Sequence, residues 1–405
     1  MILIDDSNKN KCCGCGACSS ICPKAAISMK TDSEGFIYPF INNQLCINCG
    51  ACNRVCPFLK EYPLKEDVDV IAAKSLNEGI RSKSSSGGIF SIIAEHVLNK
   101  CGVVYGTSMG NDCKEAINTR ILNINELEKL RGSKYLQSSM NDSFKNIKID
   151  LESKRVVLFS GTPCQVFGLK SYLGKEYDNL FTIEIICHGV PSPLLWNKYV
   201  DYLENKYHSR VTEVNFREKK TNSNRFGIQK KKDAICIYNS VQTDPYLVMF
   251  LNNCCLRPSC YNCLFKDKKS QADLTLGDFW GVQNITPEID DKKGISLVLI
   301  QSQKGKMLLE HISDNIAFMT SDYNLAIAHN SSYYLPVTKP ATRDMFYFEL
   351  EKKPFKSILS RYAKLKFKTR INAIIRSTEL FAFFDRRKNV KNFSYGIKIL
   401  LKKSN

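Results

Sequence analysis

Two copies of one cysteine pattern, close together near the start of the sequence, constrain this chain more than any other feature. In each copy four cysteines follow one another at intervals of two, two and three residues, and a proline follows the fourth. The runs are Cys12-x2-Cys15-x2-Cys18-x3-Cys22-Pro23 and Cys46-x2-Cys49-x2-Cys52-x3-Cys56-Pro57. The 18 cysteines in 405 residues fall well short of the roughly 8–10% that marks a disulfide scaffold. In a reducing compartment, such a chain is expected to bind metal or to carry out redox chemistry.

Both runs match the spacing of bacterial ferredoxins, in which the fourth cysteine of each run ligates the other cluster. Three thiolates two residues apart can surround one cubane cluster, and the proline turns the chain towards the other half. We therefore predict two 4Fe–4S clusters with crossed ligands. One cluster is assigned to Cys12, Cys15, Cys18 and Cys56, and the other to Cys46, Cys49, Cys52 and Cys22. A zinc ribbon is the alternative, but zinc sites use two or four cysteines at a time rather than this run twice over.

Three glycines and one additional cysteine accompany the repeat. Gly14, Gly16 and Gly50 allow the backbone to pass close to inorganic sulfur atoms, which a Cβ would crowd. Cys13 is one cysteine more than the module needs, and we predict that it is a bystander.

The composition of the whole chain excludes several classes of protein. With 43% hydrophobic and 24% charged residues, it fits a soluble globular protein and not a disordered, collagen-like or polytopic membrane protein. The opening residues MILIDDSNKN show no secretory signal, so a cytoplasmic location is expected. The formal charge is +18, and residues 351–405 hold 16 of the 58 basic residues but only 3 of the 40 acidic ones. Because the excess charge lies in the tail, no nucleic-acid binding is predicted.

After a polar linker at residues 61–69, short apolar runs alternate with longer helical patterns. This alternation predicts an α/β domain at residues 70–345, with a mixed sheet covered by helices on both faces. It follows an α+β ferredoxin-like dicluster module at residues 1–60. Strands are predicted at Val70–Lys74, Val103–Tyr105, Val156–Phe159, Phe181–Ile186, Ala272–Leu276, Ser296–Ile300 and Ile316–Met319. Helices are predicted at Gly88–Asn99, Pro163–Leu173, Pro191–Tyr207, Pro245–Leu251 and Lys304–Ile312. Val211–Phe216 and Ala234–Tyr238 are predicted to form a hairpin around a polar loop at Lys219–Asp233.

Four further cysteines in the body are candidate ligands of a third cluster. Cys164 and Cys187 each follow a predicted strand, where α/β folds place reactive or ligating side chains. With Cys260-x2-Cys263 they make the four thiolates that a cubane requires, and Cys255 is the substitute for either of the first two. His188 is interpreted as a hydrogen-bonding neighbour of this site. Four cysteines are interpreted as buried and inert: Cys101, Cys113, Cys236 and Cys254.

Two other segments are candidate cofactor contacts. The loop KSSSGGIFS, which contains Ser86, Gly87 and Gly88, opens an apolar helix and could bind a pyrophosphate or flavin phosphate at the helix N-terminus. The equally favoured alternative is a glycine-softened helix N-cap. Lys134 could hydrogen-bond a cofactor ring or stabilise a reduced flavin anion, and the alternative is a solvated loop lysine. Thr162, at the turn before Cys164, is a further cofactor-binding candidate.

Taken in order, these motifs resemble one family. The ferredoxin repeat is followed by SSSGGIF, GVVYGT, RGSKYLQS, GTPCQVFGL, CHGVPSP, RPSCYNC and GDFWG. This order resembles the beta-subunit family of the coenzyme F420 hydrogenases and dehydrogenases over roughly residues 1–335, and it is similar to the hydroxymethyl-chlorophyll reductases. The resemblance is to the bacterial branch with a fused ferredoxin module, which is often associated with surface-polysaccharide loci.

The resemblance implies an FAD in the α/β domain, beside Ser86, Gly87 and Gly88, with Lys134 as the catalytic lysine. It also implies a body cluster on Cys164, Cys187, Cys260 and Cys263. We expect an iron–sulfur flavoprotein oxidoreductase that takes electrons from ferredoxin or a partner redox subunit and acts on a small organic substrate or a deazaflavin coenzyme. The alternative is a non-catalytic, polyferredoxin-like electron carrier. A polysaccharide-modifying transferase is disfavoured because no nucleotide-sugar motif is evident.

The chain ends in a basic, amphipathic tail, which we place at residues 346–405. Helical spacing puts Ile358, Tyr362, Leu365 and Phe367 near one side with lysines around them. Such a segment could lie on an anionic membrane surface at the inner face of the membrane. A helical extension packed on the body is the alternative.

Overall fold

The structure is a computed structural model that describes residues 7–219, 227–232 and 235–364. The N-terminal module consists of a short hairpin and two short helices. Its elements are α1 (Ala17–Ile21), β1 (Ile27–Thr31), β2 (Ile37–Ile41) and α2 (Ala51–Arg54). Gly16 and Gly50 are the N-caps of the two helices and adopt φ values of 79° and 71°. Left-handed conformations favour glycine, so the backbone conformation alone explains why glycine occupies both positions.

The body contains twelve strands and twelve α-helices among the described residues. The strands are β3 (Asp69–Ser75), β4 (Val103–Met109), β5 (Ala116–Ile121), β6 (Ser138–Ser139), β7 (Val157–Gly161), β8 (Leu180–Ile185), β9 (Glu213–Asn215), β10 (Gly227–Lys232), β11 (Ile235–Ser240), β12 (Leu274–Asp278), β13 (Ser296–Ile300) and β14 (Ile316–Thr320). The helices are α3 (Glu78–Lys83), α4 (Ile89–Asn99), α5 (Ser143–Glu152), α6 (Pro163–Leu173), α7 (Pro193–Tyr207), α8 (Pro245–Leu251), α9 (Val282–Ile285), α10 (Gln303–Glu310), α11 (Tyr323–Ile327), α12 (Ser331–Tyr334), α13 (Arg343–Lys352) and α14 (Phe355–Tyr362). Within the described part of the chain, no helix is long and apolar enough to cross a membrane.

Nine of these strands form one mixed sheet in the order β14-β3-β13-β12-β8-β7-β4-β5-β6. The neighbours β4, β7, β8 and β12 run parallel, so the carboxyl ends of β7 and β8 meet at one edge. Strands β13, β3 and β14 continue the sheet in antiparallel pairings, and β5 pairs antiparallel with β4. The predicted mixed α/β sheet is confirmed.

Helices cover both faces of this sheet. In β7, Leu158 belongs to a core shared with α4 and α10, whereas Val157 and Phe159 belong to a core shared with α5 and α6. Ala17 and Val55 of the N-terminal module belong to this second core. The module therefore packs directly on the helix layer of the body.

An aromatic core beside the sheet corrects the predicted tail. Phe346, Tyr347, Ile358 and Tyr362 are buried in a core formed by α7, α8, α13 and α14. The folded body therefore continues through α14, and the predicted boundary at residue 346 falls inside α13. Ile358 and Tyr362 are core residues and not part of a lipid-facing stripe. Leu365, Phe367 and the rest of the predicted tail lie outside the described residues.

The predicted hairpin at Val211–Phe216 and Ala234–Tyr238 is wrong in its pairing. Strand β10 lies within the segment predicted as a polar loop, and it pairs antiparallel with both β9 and β11. The result is a separate three-stranded sheet with β10 in the middle. The lysine-rich sequence of β10 concealed a strand because charged residues are depleted in strands generally.

Candidate metal centres

A first pocket in the N-terminal module brings together thiols from both cysteine runs. Its volume is about 520 Å³, part of it open to solvent, and its cysteine lining includes Cys12, Cys15, Cys18 and Cys56. Ile27, Met29, Pro39 and Ile41 supply apolar walls. The backbone N–H of Gly14 donates to Cys12 Sγ at 3.4 Å, the kind of hydrogen bond to sulfur that influences cluster potentials.

A second pocket holds the complementary set. It has a volume of about 570 Å³, open solvent included, and is lined by Cys22, Cys46, Cys49 and Cys52. Cys52 also borders the first pocket, so the two sites adjoin. The exposed side chain of Cys49 places this second pocket at the surface. Each pocket thus contains three cysteines of one run and the fourth cysteine of the other, as the predicted crossed ligation requires. The assignment of individual ligands stays a prediction.

The thiols of the first pocket stand close enough to influence one another. Burial, together with the neighbouring Cys12 and Cys56, raises the pKa of Cys18 to about 12. Burial also raises the pKa of Cys56. Bound iron would hold these groups as thiolates, since coordination to metal deprotonates a thiol. The chemistry and the space of the pocket therefore fit a cluster.

Among the described residues, no set of three or more His, Cys, Asp or Glu side chains is arranged to hold a metal ion. A cubane cluster is larger than one ion and keeps its ligands farther apart. It requires a thiol-lined pocket and not one point at which all ligands converge.

The structure also brings together the four candidate cysteines of the body. Cys164 lies in the first turn of α6 after β7, and Cys187 follows β8, so the parallel pairing of these strands places both at one edge. Cys260 and Cys263 lie in and after a 3-10 turn at Pro258–Asn262. Burial raises the pKa of Cys260, and the charges of Cys187, Cys263 and Cys164 raise it further. We call these four thiols the body site.

Cys13, predicted to be a bystander, connects the first pocket to the body site. It lines the first pocket, and the thiols of Cys15 and Cys164 are its electrostatic neighbours. Cys255, the proposed substitute ligand, is buried instead in the aromatic core beside Cys254. The sequence signal for Cys13 was its position directly next to the predicted ligand Cys12. The spacing alone did not reveal that Cys164 is also its neighbour.

Two buried cations next to these thiols were missed in the sequence analysis. Arg257 Nε donates to the carbonyl of Cys12 at 2.8 Å, and its guanidinium lies 4.0 Å from the centre of the Tyr38 ring. Lys266 Nζ donates to the carbonyls of Cys187 and Ser332. Both cations belong to the segment around Cys260 and Cys263, and charged residues beside that motif were the only signal.

His188 forms hydrogen bonds beside the body site, as its interpretation requires. Its Nε2 lies 2.6 Å from Asn253 Oδ1, and its Nδ1 lies 3.2 Å from the Ser332 hydroxyl. Burial lowers the pKa of His188. The ring is therefore held by neighbours that can fix its tautomer.

The predicted flavin loop is tied into the sheet. The Ser86 hydroxyl donates to the carbonyl of Ile295 at 2.7 Å, and the Gly87 N–H donates to the Ser296 hydroxyl at 2.9 Å. A Cβ on Gly87 would lie 2.3 Å from the carbonyl oxygen of Ala73. Close packing on the sheet therefore explains why residue 87 is a glycine. The Ser86 hydroxyl and the Gly87 N–H already donate to protein acceptors.

An anion could still approach the helix that follows this loop. Gly88, at φ +91°, is the N-cap of α4 and makes no side-chain capping bond. Arg217 Nη2 donates to the carbonyl of Ser85 at 3.3 Å, and Lys219 Nζ donates to that of Ser86 at 2.6 Å. The Arg217 guanidinium is paired with the Asp278 carboxylate at 2.8 Å, so the positive end of α4 and Lys219 supply the charge that fits a phosphate group.

The remaining two candidates have structural partners. Lys134 Nζ donates to the carbonyls of Lys129 and Arg131 at 3.0 and 2.7 Å, and burial lowers the pKa of Lys134 to about 7. Thr162 is the N-cap of α6 in a capping box with Gln165, and its hydroxyl lies 3.2 Å from Cys164 Sγ. Thr162 therefore lies at the body site. The catalytic role of Lys134 stays a prediction.

Comparison with known proteins agrees with the two-part organisation. Residues 154–325 match the sequence model that describes the C terminus of the coenzyme F420 hydrogenase/dehydrogenase beta subunit, and residues 11–59 match that of the 4Fe-4S dicluster domain. Residues 154–325 thus carry the C-terminal domain of this family, and residues 11–59 carry a ferredoxin-type dicluster domain. The resemblance inferred from the motifs is confirmed, and both domains indicate a redox protein with iron–sulfur clusters.

No curated protein matches the sequence. Thirteen chains of solved structures match it. One of them belongs to the xenon-derivatised F420-reducing NiFe hydrogenase complex from Methanosarcina barkeri. That match covers 75% of this chain and 90% of the other, with 15% sequence identity and a TM-score of 0.43.

Proposed function

We propose that this chain is an iron–sulfur flavoprotein oxidoreductase that exchanges electrons with a partner and reduces or oxidises a small organic substrate or a deazaflavin coenzyme. The observation that carries the proposal is the contact between the ferredoxin module and the body site. The thiol of Cys13 has the Cys15 thiol of the module and the Cys164 thiol of the body site as its neighbours. A module that only stabilised the fold would have no reason to direct its cysteine pocket at a second set of four thiols.

The residues of the chain form three thiol sites in series. The second pocket lies at the surface, the first pocket adjoins it through Cys52, and the body site follows across Cys13. One-electron transfer is the chemistry that iron–sulfur clusters supply when they are bound. The chain contributes thiolates, apolar walls and buried cations. A ferredoxin or a partner redox subunit would approach at the exposed second pocket.

The flavin part of the proposal rests on the start of α4. Gly88 and Lys219 would hold the phosphates of FAD there. Ser86 and Gly87 would shape the loop, since their donors are already bonded to Ile295 and Ser296. FAD, when bound, links one-electron carriers to two-electron chemistry. The family relationship supports a hydrogenase- or dehydrogenase-type reaction. A role in surface-polysaccharide metabolism, a cytoplasmic location and membrane contact through the basic tail belong to the proposal as expectations.

The second candidate is a non-catalytic electron carrier. The protein partners of Ser86, Gly87 and Lys134 favour it, because they account for these residues without a flavin. In this case the three thiol sites would relay electrons to a separate enzyme.

Analysis of the protein purified without oxygen distinguishes these candidates. Iron, acid-labile sulfide and flavin are measured per chain. About twelve irons with one FAD would support the oxidoreductase, since each cubane contains four irons. About twelve irons without flavin would favour the electron carrier. About eight irons with FAD would retain the enzyme and remove the body cluster.

Cysteine variants then test the body site. Cys260→Ser is expected to lose about four irons per chain while the clusters of the N-terminal module remain. Cys113→Ser is the matched control, because Cys113 is a buried cysteine in the aromatic core. Equal iron loss in both variants would indicate general misfolding. Unchanged iron in Cys260→Ser would remove that residue from the ligand set.

A further inference from the structure

Arg257 is a buried cation between two of the thiol sites. Its side chain is 1% exposed, and its Nε and Nη2 donate to the backbone carbonyls of Cys12 and Ile37 at 2.8 and 3.0 Å. Nη2 also lies 3.7 Å from Cys12 Sγ. The backbone N–H of Cys260 donates to the carbonyl of Arg257 at 2.9 Å. The residue thus belongs to the body by sequence and contacts the ferredoxin module through its guanidinium.

In the described part of the chain, Arg257 has no carboxylate to neutralise its charge. Among the described residues, no Asp or Glu forms an ion pair with this side chain, and Nη1 is buried without a hydrogen-bond partner. Burial works against the charge, but neighbouring Cys12, Tyr38, Cys13 and Cys260 favour it, and the pKa of Arg257 is raised overall. Such a charge requires an anion in its surroundings, because an isolated buried cation is costly.

The thiols around Arg257 belong to two different sites. Cys12 lines the first pocket, and Cys164 and Cys260 belong to the body site. A Cβ on Gly14 would lie 3.1 Å from Nη1, so a glycine at this position leaves room for the guanidinium beside the pocket. The guanidinium thus contacts the first pocket at Cys12, and its charge acts on Cys164 and Cys260 of the body site through a buried region, where charges interact more strongly than in water.

We propose that Arg257 is a shared counter-charge that raises the reduction potentials of the clusters at the first pocket and at the body site. This inference rests on the proposed function, since it requires clusters at both sites. Adding one electron makes a cluster more negative by one charge, and a fixed cation nearby stabilises that reduced form. Arg257 itself gains and loses nothing in the step. Arg257 acts on electron transfer only through its charge, so it is a positioning residue and not a catalytic group.

The second pocket has no comparable cation among the described residues. Lys24 lines it and Arg54 donates to the carbonyl of Cys49 at 3.0 Å, but both contacts are exposed. Solvent and salt screen exposed charges much more than buried ones. The effect of Arg257 is therefore expected at two of the three sites.

The test is a redox titration of the full chain, purified without oxygen and monitored by electron paramagnetic resonance. In Arg257→Met, at a fixed solution potential, the ratio of reduced to oxidised cluster is expected to fall about tenfold at two sites. For a one-electron couple this corresponds to about 59 mV. The third potential should stay unchanged. Arg257→Lys retains the charge and should recover most of the shift.

Arg343→Met is the matched control. Arg343 is also a buried arginine that joins the module to the body, but its guanidinium is paired with Glu34 at 2.7 and 2.5 Å. Its loss should lower stability and leave all three potentials unchanged. An equal shift in Arg257→Met and Arg343→Met would overturn the proposal, as would no shift in Arg257→Met with its clusters intact.

If Arg257→Met fails to assemble its clusters, Arg257→Gln is titrated instead. Glutamine keeps an N–H donor without the charge. This variant should show the same two shifts. Loss of cluster iron from both neutral variants would overturn the proposal, because Arg257 would then be needed only to build the site. Absence of clusters from the unmodified protein would instead refute the proposed function itself.

Discussion

Gly168 shows how closely the ferredoxin module approaches the body at the level of a single residue. A Cβ at this position of α6 would lie 2.8 Å from Cys15 Cβ and 2.9 Å from Cys15 Sγ. Real Cβ atoms do not approach other atoms so closely, so Gly168→Ala must push the first cysteine run away from α6. We expect a loss of about 1–3 kcal/mol in stability, as for other overpacked sites, and a loss of iron from the first pocket.

Iron content per chain and thermal unfolding check this prediction. Gly174→Ala is the control at the end of the same helix, because nothing lies within 4 Å of its Cβ position. Gly174 has a φ of 69°, so this control is expected to cost about 1–2 kcal/mol of backbone strain. It should retain all of its iron. Full iron content in Gly168→Ala would mean that the module can shift without losing its cluster.

Lys134 gives a pH prediction. Its pKa in the folded chain is lowered to about 7 by burial, whereas an unfolded lysine titrates near 10.4. Between these values the unfolded chain binds more protons, so this group makes stability rise with pH from about 7 to about 10. Lys134→Met should therefore remove part of the pH dependence of the free energy of unfolding in that window.

Urea unfolding of the two proteins at a series of pH values measures this difference. Lys129→Met, which removes an exposed lysine from the same turn, is the control. The stability of the unmodified protein relative to Lys134→Met should increase as the pH rises. A constant difference across the window would show that Lys134 titrates like an ordinary surface lysine.

Sequence reasoning at this scale identified cysteines that the structure places together, but not what lies between them. Regular spacing is a one-dimensional signal, and both pockets of the module follow it. Cys13 and Arg257 matter because of neighbours from other parts of the chain, and no local pattern encodes such neighbours. Ser86 and Gly87 were predicted to contact a ligand, but they donate hydrogen bonds to Ile295 and Ser296 instead.

At the scale of elements, one ion pair fixes the helix that precedes the candidate flavin loop. Arg81 of α3 is 2% exposed and donates to both carboxylate oxygens of Asp291, with one contact at 2.7 Å. Hydrogen bonding from Arg81 holds the pKa of Asp291 below its usual range. Asp291→Asn leaves a buried guanidinium poorly compensated, and we expect a loss of about 3–5 kcal/mol at pH 7.

The pH dependence of this loss follows from the lowered pKa. The stability contributed by the Asp291 carboxylate is present above its unfolded pKa of about 3.9 and is lost as the pH falls towards the folded value. The difference between the two proteins should therefore shrink below pH 4. Denaturant unfolding measures it, and Asp290→Asn, beside the pair, is the control with only a local backbone bond. An equal loss in both variants would assign the effect to the loop and not to the ion pair.

Element prediction succeeded where burial and periodicity agree. The predicted bounds of β13, α6 and α8 are those of the structure, because each combines an apolar run with a clear start signal. It failed for β10, whose lysines disguise a strand. For α14 the helical spacing was predicted, but a membrane surface was favoured over packing on the body. The amphipathic face of α14 predicts a membrane or a protein core equally well, and only the presence of α7, α8 and α13 decides for the core.

At the scale of the whole molecule, the ferredoxin module is joined to the body by the turn of its hairpin. Glu34 accepts from both terminal nitrogens of Arg343 in α13, and the Ser192 hydroxyl before α7 donates to the Glu34 carbonyl. Arg343 is 4% exposed, so this pair is desolvated on one side. None of these three residues belongs to the linker at residues 61–69, so the module and the body are joined at more than their linker.

We therefore expect the module and the body to unfold as one cooperative unit. Glu34→Ala should lower the midpoint of thermal unfolding, because it leaves a buried arginine with only the exposed carboxylate of Asp344, 3.6 Å from its Nη1. Cluster absorbance and far-ultraviolet circular dichroism should decrease together, at the same shifted midpoint. Glu61→Ala, in the linker, is the matched control and should leave the midpoint unchanged. Loss of cluster absorbance well before the loss of helical signal would show instead that the module detaches first, and that its contact with the body site forms only in the fully folded chain.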